Sequence, residues 1–276
     1  MGDCSKGEHG RIDEWDVSRV TNMTWMFYKA KAFNQDLSKW NVSCVTNMAE
    51  MFSRAHAFDE DLSAWDVSNV TDMTGMFQME SYKTGAFTGT GLSNWNVSKV
   101  TNMHKMFRYD NSFEQDLSNW DVSSVTDMHD MFCGTKVKGL SKWIVSKVTN
   151  MYGMFCRATS FDEDLSEWDV SKVTAMNSIF WNAYSFTGKG LPKWKVPNVK
   201  NMWAMFYGTK VFNQDISNWD TSKVTYMQQM FHGARAFNQD LSKWDVSRVI
   251  NFGGEIGVST VRGWAGDKRS KSLGPT

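Results

Sequence analysis

Along residues 37–52, LSKWNVSCVTNMAEMF, the spacing of apolar positions changes partway. Trp40 and Val42 stand two apart with polar Lys39 and Asn41 alternating between and beside them, a pattern that predicts a short strand. Val45, Met48, Met51 and Phe52 then recur at steps of three and four, which predicts a turn or two of α- or 3₁₀-helix with Thr46 as its N-cap. A small residue, Ala55, follows before the chain returns to Phe58.

The same period change recurs along almost the whole chain. Aligned on Trp15, Trp40, Trp65, Trp95, Trp120, Trp143, Trp168, Trp194, Trp219 and Trp244, the units are 25, 25, 30, 25, 23, 25, 26, 25 and 25 residues long. Each reads roughly F-x-x-D-L-S-x-W-D-V-S-x-V-T-x-M-x-x-M-F-x-x-A. One unit cannot bury its own Leu, Trp, Val, Met and Phe, whereas stacked units cover one another. The expected fold is an α/β repeat, a right-handed leucine-rich-repeat-like solenoid of about ten units, each with one short parallel strand and one short helical turn. Strands about 4.8 Å apart would make it on the order of 50 Å long. Residues 12–252 are expected to form this single solenoid. Residues 1–11 read as a polar segment and 253–276 as a divergent cap with a mobile tail.

Composition follows from the repeat. Of 19 Met and 14 Trp, most fall in ladder positions, so core stacking accounts for them better than a copper site or a sugar platform. Thirty basic residues balance thirty acidic ones, which gives no field to attract nucleic acid or an anionic membrane. No stretch is long and apolar enough to predict membrane insertion, and none reads as a leader or anchor. The four Cys form no zinc spacing.

With these residues in view the chain resembles a known group. LSKWNV fits the L-x-x-L-x-L strand of leucine-rich repeats with Trp in the second apolar place. VTNMAEMF resembles the V-T-x-I-x-x-x-A-F segment of BspA-type leucine-rich repeats. The whole unit is similar to the 25-residue repeat of unknown function found in mycoplasma surface lipoproteins and marine microbes. The resemblance implies a surface or secreted protein with a binding or adhesion role and no known catalysis. This chain shows no signal peptide, lipobox or anchor to accompany it.

Several rows carry candidate chemistry. Asp36, Asp61, Asp116, Asp164, Asp215 and Asp240 precede Leu or Ile, as turn caps or as a calcium ladder; Gly91, Gly139 and Gly190 break the row, which favours caps. Thr follows Val in most units, which suggests N-caps more than an ice-binding row. His104 and His129 share one position in adjacent units, and two ligands without a third read as a surface pair. Cys133 and Cys156 follow the Phe of consecutive units, near enough to form a disulfide under oxidising conditions.

Catalysis needs unlike groups converging once, and a repeat offers the same groups many times, so neither an enzyme nor a cofactor is expected. The leading expectation is an interaction or adhesion module that binds a protein or glycan through its open strand face. The candidate contacts are Asp121, Ile144, Asp169, Lys193, Lys195 and Asp220, outward positions beside Trp. Either private specificity or drift accounts for the basic unit LPKWKVPNVK. The alternative is a structural ladder that binds calcium, ice or mineral surfaces.

Overall fold

The computed structural model describes residues 10–80 and 85–250. Residues 1–9 of the expected polar segment 1–11, and the whole of the expected cap and tail 253–276, lie outside the described residues.

The repeats stack, but not as an α/β leucine-rich-repeat solenoid. Among the described residues, regular structure is confined to three short 3₁₀ turns, Ile12–Glu14, Leu92–Asn94 and Leu191–Lys193, and to isolated parallel bridges. No strand forms at Leu-Ser-x-Trp and no helix forms after Val-Thr. The chain is built of turns.

Local hydrogen bonding explains the missing strand. In D-L-S the carboxylate of Asp36 accepts from the Ser38 amide at 2.8 Å, and in N-V-S the Asn41 carbonyl accepts from the Ser43 amide at 3.1 Å. Each side chain captures a backbone donor two residues on, which bends the chain into an Asx turn. The Trp40 amide then closes on the Leu37 carbonyl at 3.0 Å and Val45 on Val42 at 2.9 Å. Too little extended backbone is left between these turns to pair. The alternation of faces survives regardless: Trp40 and Val42 are buried while Lys39 and Asn41 are exposed.

The segment read as helix is a run of turns that shares its hydrogen bonds with the next coil. The amides of Met106, Arg108 and Asp110 close on the carbonyls of Met103, Lys105 and Phe107, three residues back. The intervening amides of Met103, Lys105, Phe107 and Tyr109 donate instead to Asp127, His129, Met131 and Cys133 in the following coil, at 3.1, 2.8, 3.1 and 2.6 Å. Lys105 and Tyr109 have φ of 58° and 61°. That conformation cannot propagate a right-handed helix. The same two places are left-handed in neighbouring coils, at Glu50 and Arg54, Gly153 and Arg157, and Ser178 and Asn182. Steps of three arise in such turns as well as in helices, which is why the spacing misleads.

Apart from one between Asp116 and Lys138, the parallel bridges run through one position, Asn22, Asn47, Asp72, Asn102, Asp127, Asn150, Ala175, Asn201 and Tyr226. The Thr before it is no helix cap. The Thr71 amide and hydroxyl both donate to the Thr46 carbonyl of the preceding coil, at 2.8 and 3.1 Å, and the arrangement repeats along the stack. Backbone bonds therefore tie every coil to both neighbours.

Side chains add a second tie. From Trp40 to Trp244 the ladder indole N–H donates to the carbonyl of the preceding coil's Leu or Ile: Trp65 to Leu37 at 3.0 Å, Trp95 to Leu62 at 3.0 Å, Trp120 to Leu92 at 2.7 Å, Trp143 to Leu117 at 3.0 Å and Trp244 to Ile216 at 3.0 Å. Phe rings stack from coil to coil, with Phe77 5.8 Å from Phe107 and Phe107 5.9 Å from Phe132. The Met rows lie inside this column and are buried from Met48 onwards; Met26, in the first coil, is exposed. Three coils replace the capping Asp with Gly. At Gly91 and Gly190, with φ of 88° and 90°, a Cβ would collide with the backbone of Ser63 or Ser166 in the coil before.

Trp120→Ala should cost about 3–5 kcal/mol in urea unfolding, the usual range for deleting a buried aromatic. Trp120→Phe keeps most of the packing and loses the indole bond, so about 1–2 kcal/mol is expected. Asn119→Ala, on exposed backbone, should stay under about 0.5 kcal/mol. Equal losses for Trp120→Ala and Asn119→Ala would reverse the assigned faces.

Candidate functional site

Of the residues expected to contact a partner, all but Lys193 lie in one row along the stack, directly after the ladder Trp. Asp121, Asp169 and Asp220 are exposed, and each accepts the amide of the Ser two residues on, from Ser123, Ser171 and Ser222, at 3.0 Å. Hydrogen bonds from those Ser side chains and amides hold the three carboxylates below their usual range. Ile144 interrupts the acidic row and is 61% exposed. Lys195 is exposed in the same row, and Lys193, two residues earlier, approaches Glu167 at 3.8 Å. The structure aligns these positions but gives the row no strand face. The Asp row before Leu behaves likewise: Asp36, Asp61, Asp116, Asp164, Asp215 and Asp240 each accept from the Ser two residues on.

A second surface was legible in the sequence only at its His104 and His129 pair. It is the position after the first Met of each unit, where the turn points a side chain outward. In successive coils it holds Thr74, His104, His129, Tyr152, Asn177 and Trp203. The His104 and His129 rings stack at 4.3 Å and 16°, and His129 lies 6.3 Å from Tyr152. Tyr152 and Trp203 are exposed, and exposed Tyr226 occupies the neighbouring bridge position one coil beyond Trp203. Single aromatics scattered among polar repeats look unrelated until the coils are stacked.

From the bridge row, Asp127 joins the histidines. Its Oδ1 is 3.0 Å from His129 Nδ1 and also accepts the His129 amide at 2.9 Å. Asn150 Nδ2 is 3.3 Å from Asp127 Oδ2. Burial acts to raise the Asp127 pKa, but the His129 ring and amide outweigh it and leave the carboxyl below its usual range. Burial and the nearby His129 hold His104 below the ordinary imidazole value.

Cys133 and Cys156 occupy equivalent places in adjacent coils, as expected, and are both buried free thiols. A hydrogen bond to Cys156 and burial push the Cys133 thiol up. Nearby, a cleft of about 390 Å³ is lined by Arg54, Gln78, Glu80, Arg108, Tyr109 and Arg157 among others. Its charges are largely answered: Arg54 pairs with Glu80 at 3.3 Å, Arg108 with Asp130 at 3.1 Å, and Arg157 lies over the Trp181 ring at 5.3 Å.

Asp110, next to this cleft, stands where other coils have Ala55, Ala158, Ala183 or Thr135. Its Oδ1 accepts only a long bond from the Ser112 amide, 3.4 Å, and its Oδ2 has no partner among the described residues. Burial pushes its pKa up to about 8. The folded chain therefore keeps a proton that the unfolded chain releases near pH 4, so this group's stabilising contribution falls as pH rises from about 4 to about 8, by up to about 1.4 kcal/mol per pH unit. Asp110→Thr copies Thr135, whose hydroxyl donates to the Phe132 carbonyl at 3.0 Å. The variant should be the more stable protein at pH 8, with the difference shrinking towards pH 4. A difference that grows on acidification would contradict this assignment.

Comparison with known proteins bears on the family and not on the chemistry. No curated protein and no solved structure matches the chain. The family model described as "Mycoplasma protein of unknown function, DUF285" matches residues 2–84, 78–189 and 185–254 in tandem. The chain, a stack of turn-built tandem repeats, belongs to that family.

Proposed function

We propose that the protein is a non-enzymatic interaction module that binds a protein partner along the aromatic row Tyr152, Trp203 and Tyr226. The observation that carries this reading is the exposure of all three rings, at 38%, 37% and 41%, on one side of the stack. Tyr and Trp are the residues that most often anchor interfaces, because they bury large area at small entropic cost. A rigid stack with coils about 4.8 Å apart holds Tyr152 and Trp203 two coils, about 10 Å, from each other without further ordering.

At Tyr152 the ring geometry favours protein over glycan. His104, His129 and Tyr152 turn their faces towards one another along the stack, which leaves edges outward. Sugars stack on open ring faces, whereas protein side chains accept edges as well. The resemblance of the V-T-x-M segment to BspA-type surface repeats supports adhesion at a cell surface as the setting.

The test substitutes the residues that the repeat itself uses at these places: Tyr152→Asn as in Asn177, Trp203→Gln as in Gln228, and Tyr226→Asn as in Asn201. The triple variant should fold with unchanged near-ultraviolet dichroism from the ladder Trp. In cross-linking capture from host-surface extracts, the expected result is a protein retained by the parent chain and lost with the variant. Equal capture by both, or binding only to a glycan array, would contradict the proposal.

A further inference from the structure

The repeat breaks its own symmetry at one pair of coils. The bridge position holds Asn in most units and the position two residues on holds Thr, Ala, Asn or Gln in several. In the coils containing Met103 and Met128 the two outward positions are both His, and the second follows an Asp. We propose that His104, Asp127 and His129 form a binding site for one divalent transition-metal ion of the zinc type.

Each of the three offers a ligand atom, and these atoms all lie within 4.8 Å of one another. Two imidazole nitrogens and a carboxylate oxygen are the donor set that zinc and its neighbours accept, with a fourth position left for water. His129 Nδ1 and Asp127 Oδ1 are 3.0 Å apart, and bonds of about 2.0–2.2 Å to a shared ion place adjacent ligands roughly 3 Å apart. An ion there would replace the hydrogen bond between them without moving either backbone. His104 comes from the preceding coil. Its ring stacks on His129 at 4.3 Å and 16°, and its ligand atom lies within 4.8 Å of the other two.

The surroundings suit the role. Both histidines are half-buried, open enough to admit an ion and held enough to limit the entropy lost on binding. Asn150 donates to the second oxygen of Asp127 at 3.3 Å, the outer hydrogen bond that orients a ligating carboxylate. The backbone also fixes the carboxylate, because its Oδ1 accepts the His129 amide. Two adjacent coils, locked in register by Met103 to Asp127 and Lys105 to His129, set the separation of the ligands.

The repeat supplies substitutions that keep the turns intact. Asp127→Asn copies Asn102, His104→Asn copies Asn177, and His129→Gln copies Gln228. Full-length protein, freed of metal by chelation, is titrated with zinc by calorimetry and with cobalt by visible absorption. The parent should bind one zinc ion per chain and develop cobalt d–d bands. Each single substitution should weaken zinc by at least about tenfold. The His104→Asn, His129→Gln double variant should lose the site while keeping the parent's near-ultraviolet dichroism. No saturable binding at millimolar zinc, or zinc bound by the double variant as tightly as by the parent, would overturn the proposal.

Discussion

The ladder indole donates its N–H to the carbonyl of the Leu one coil earlier, and much of the molecule depends on that bond. A coil of about 25 residues built from turns meets its neighbours through isolated bridges and single amides, with no continuous sheet among the described residues. The Leu92 carbonyl illustrates the solution: it accepts the Trp95 amide within its coil at 3.0 Å and the Trp120 indole from the next at 2.7 Å. Phe or Leu would fill less of the volume and could not make the second bond. A buried indole left without an acceptor would lose about 1–3 kcal/mol of what its packing returns. That requirement explains why so many Trp stand at one spacing.

The column around this tie is close-packed because every ladder side chain rests on its counterpart. Trp65 and Trp95 lie parallel at 6.4 Å, and Phe52 stacks on Phe77 at 5.7 Å. Met fills the remaining space between rings, where its flexible thioether adapts to small offsets between coils. Outside the column, backbone amides alternate between the chain's own turns and the following coil. Stability is therefore shared between neighbours, as in other one-dimensional arrays.

The repeat, its inward positions and its stacking were legible in the sequence, because Trp, Val, Met and Phe recur at fixed offsets and must be buried. The backbone conformation was not. Met103, Met106 and Phe107 have the same spacing in a helix as in consecutive turns, and only the left-handed residues between them distinguish the two. Those residues include Lys105, Tyr109 and Arg157 as well as Gly153, so no residue type announces them. The Asx-x-Ser pairs were the available signal: Asp36 with Ser38 and Asn41 with Ser43 mark turns where a strand was expected. At the surface, the His pair was visible as a shared position. Its third member, Asp127, became apparent only when the turn folded it back onto His129. The partner row had the same difficulty, since Tyr152 and Trp203 are 51 residues apart in the chain and two coils apart in the stack.

The account stands or falls on the indole ladder. Nitrogen-15 correlation spectra resolve Trp side-chain N–H groups well away from backbone amides, and their exchange with deuterium reads the bond directly. Slow exchange is expected for the mid-stack ladder indoles, Trp65 through Trp219, and fast exchange for exposed Trp25 and Trp203. Ladder indoles that exchange as fast as that of Trp203 would contradict the stacked, carbonyl-bonded coil.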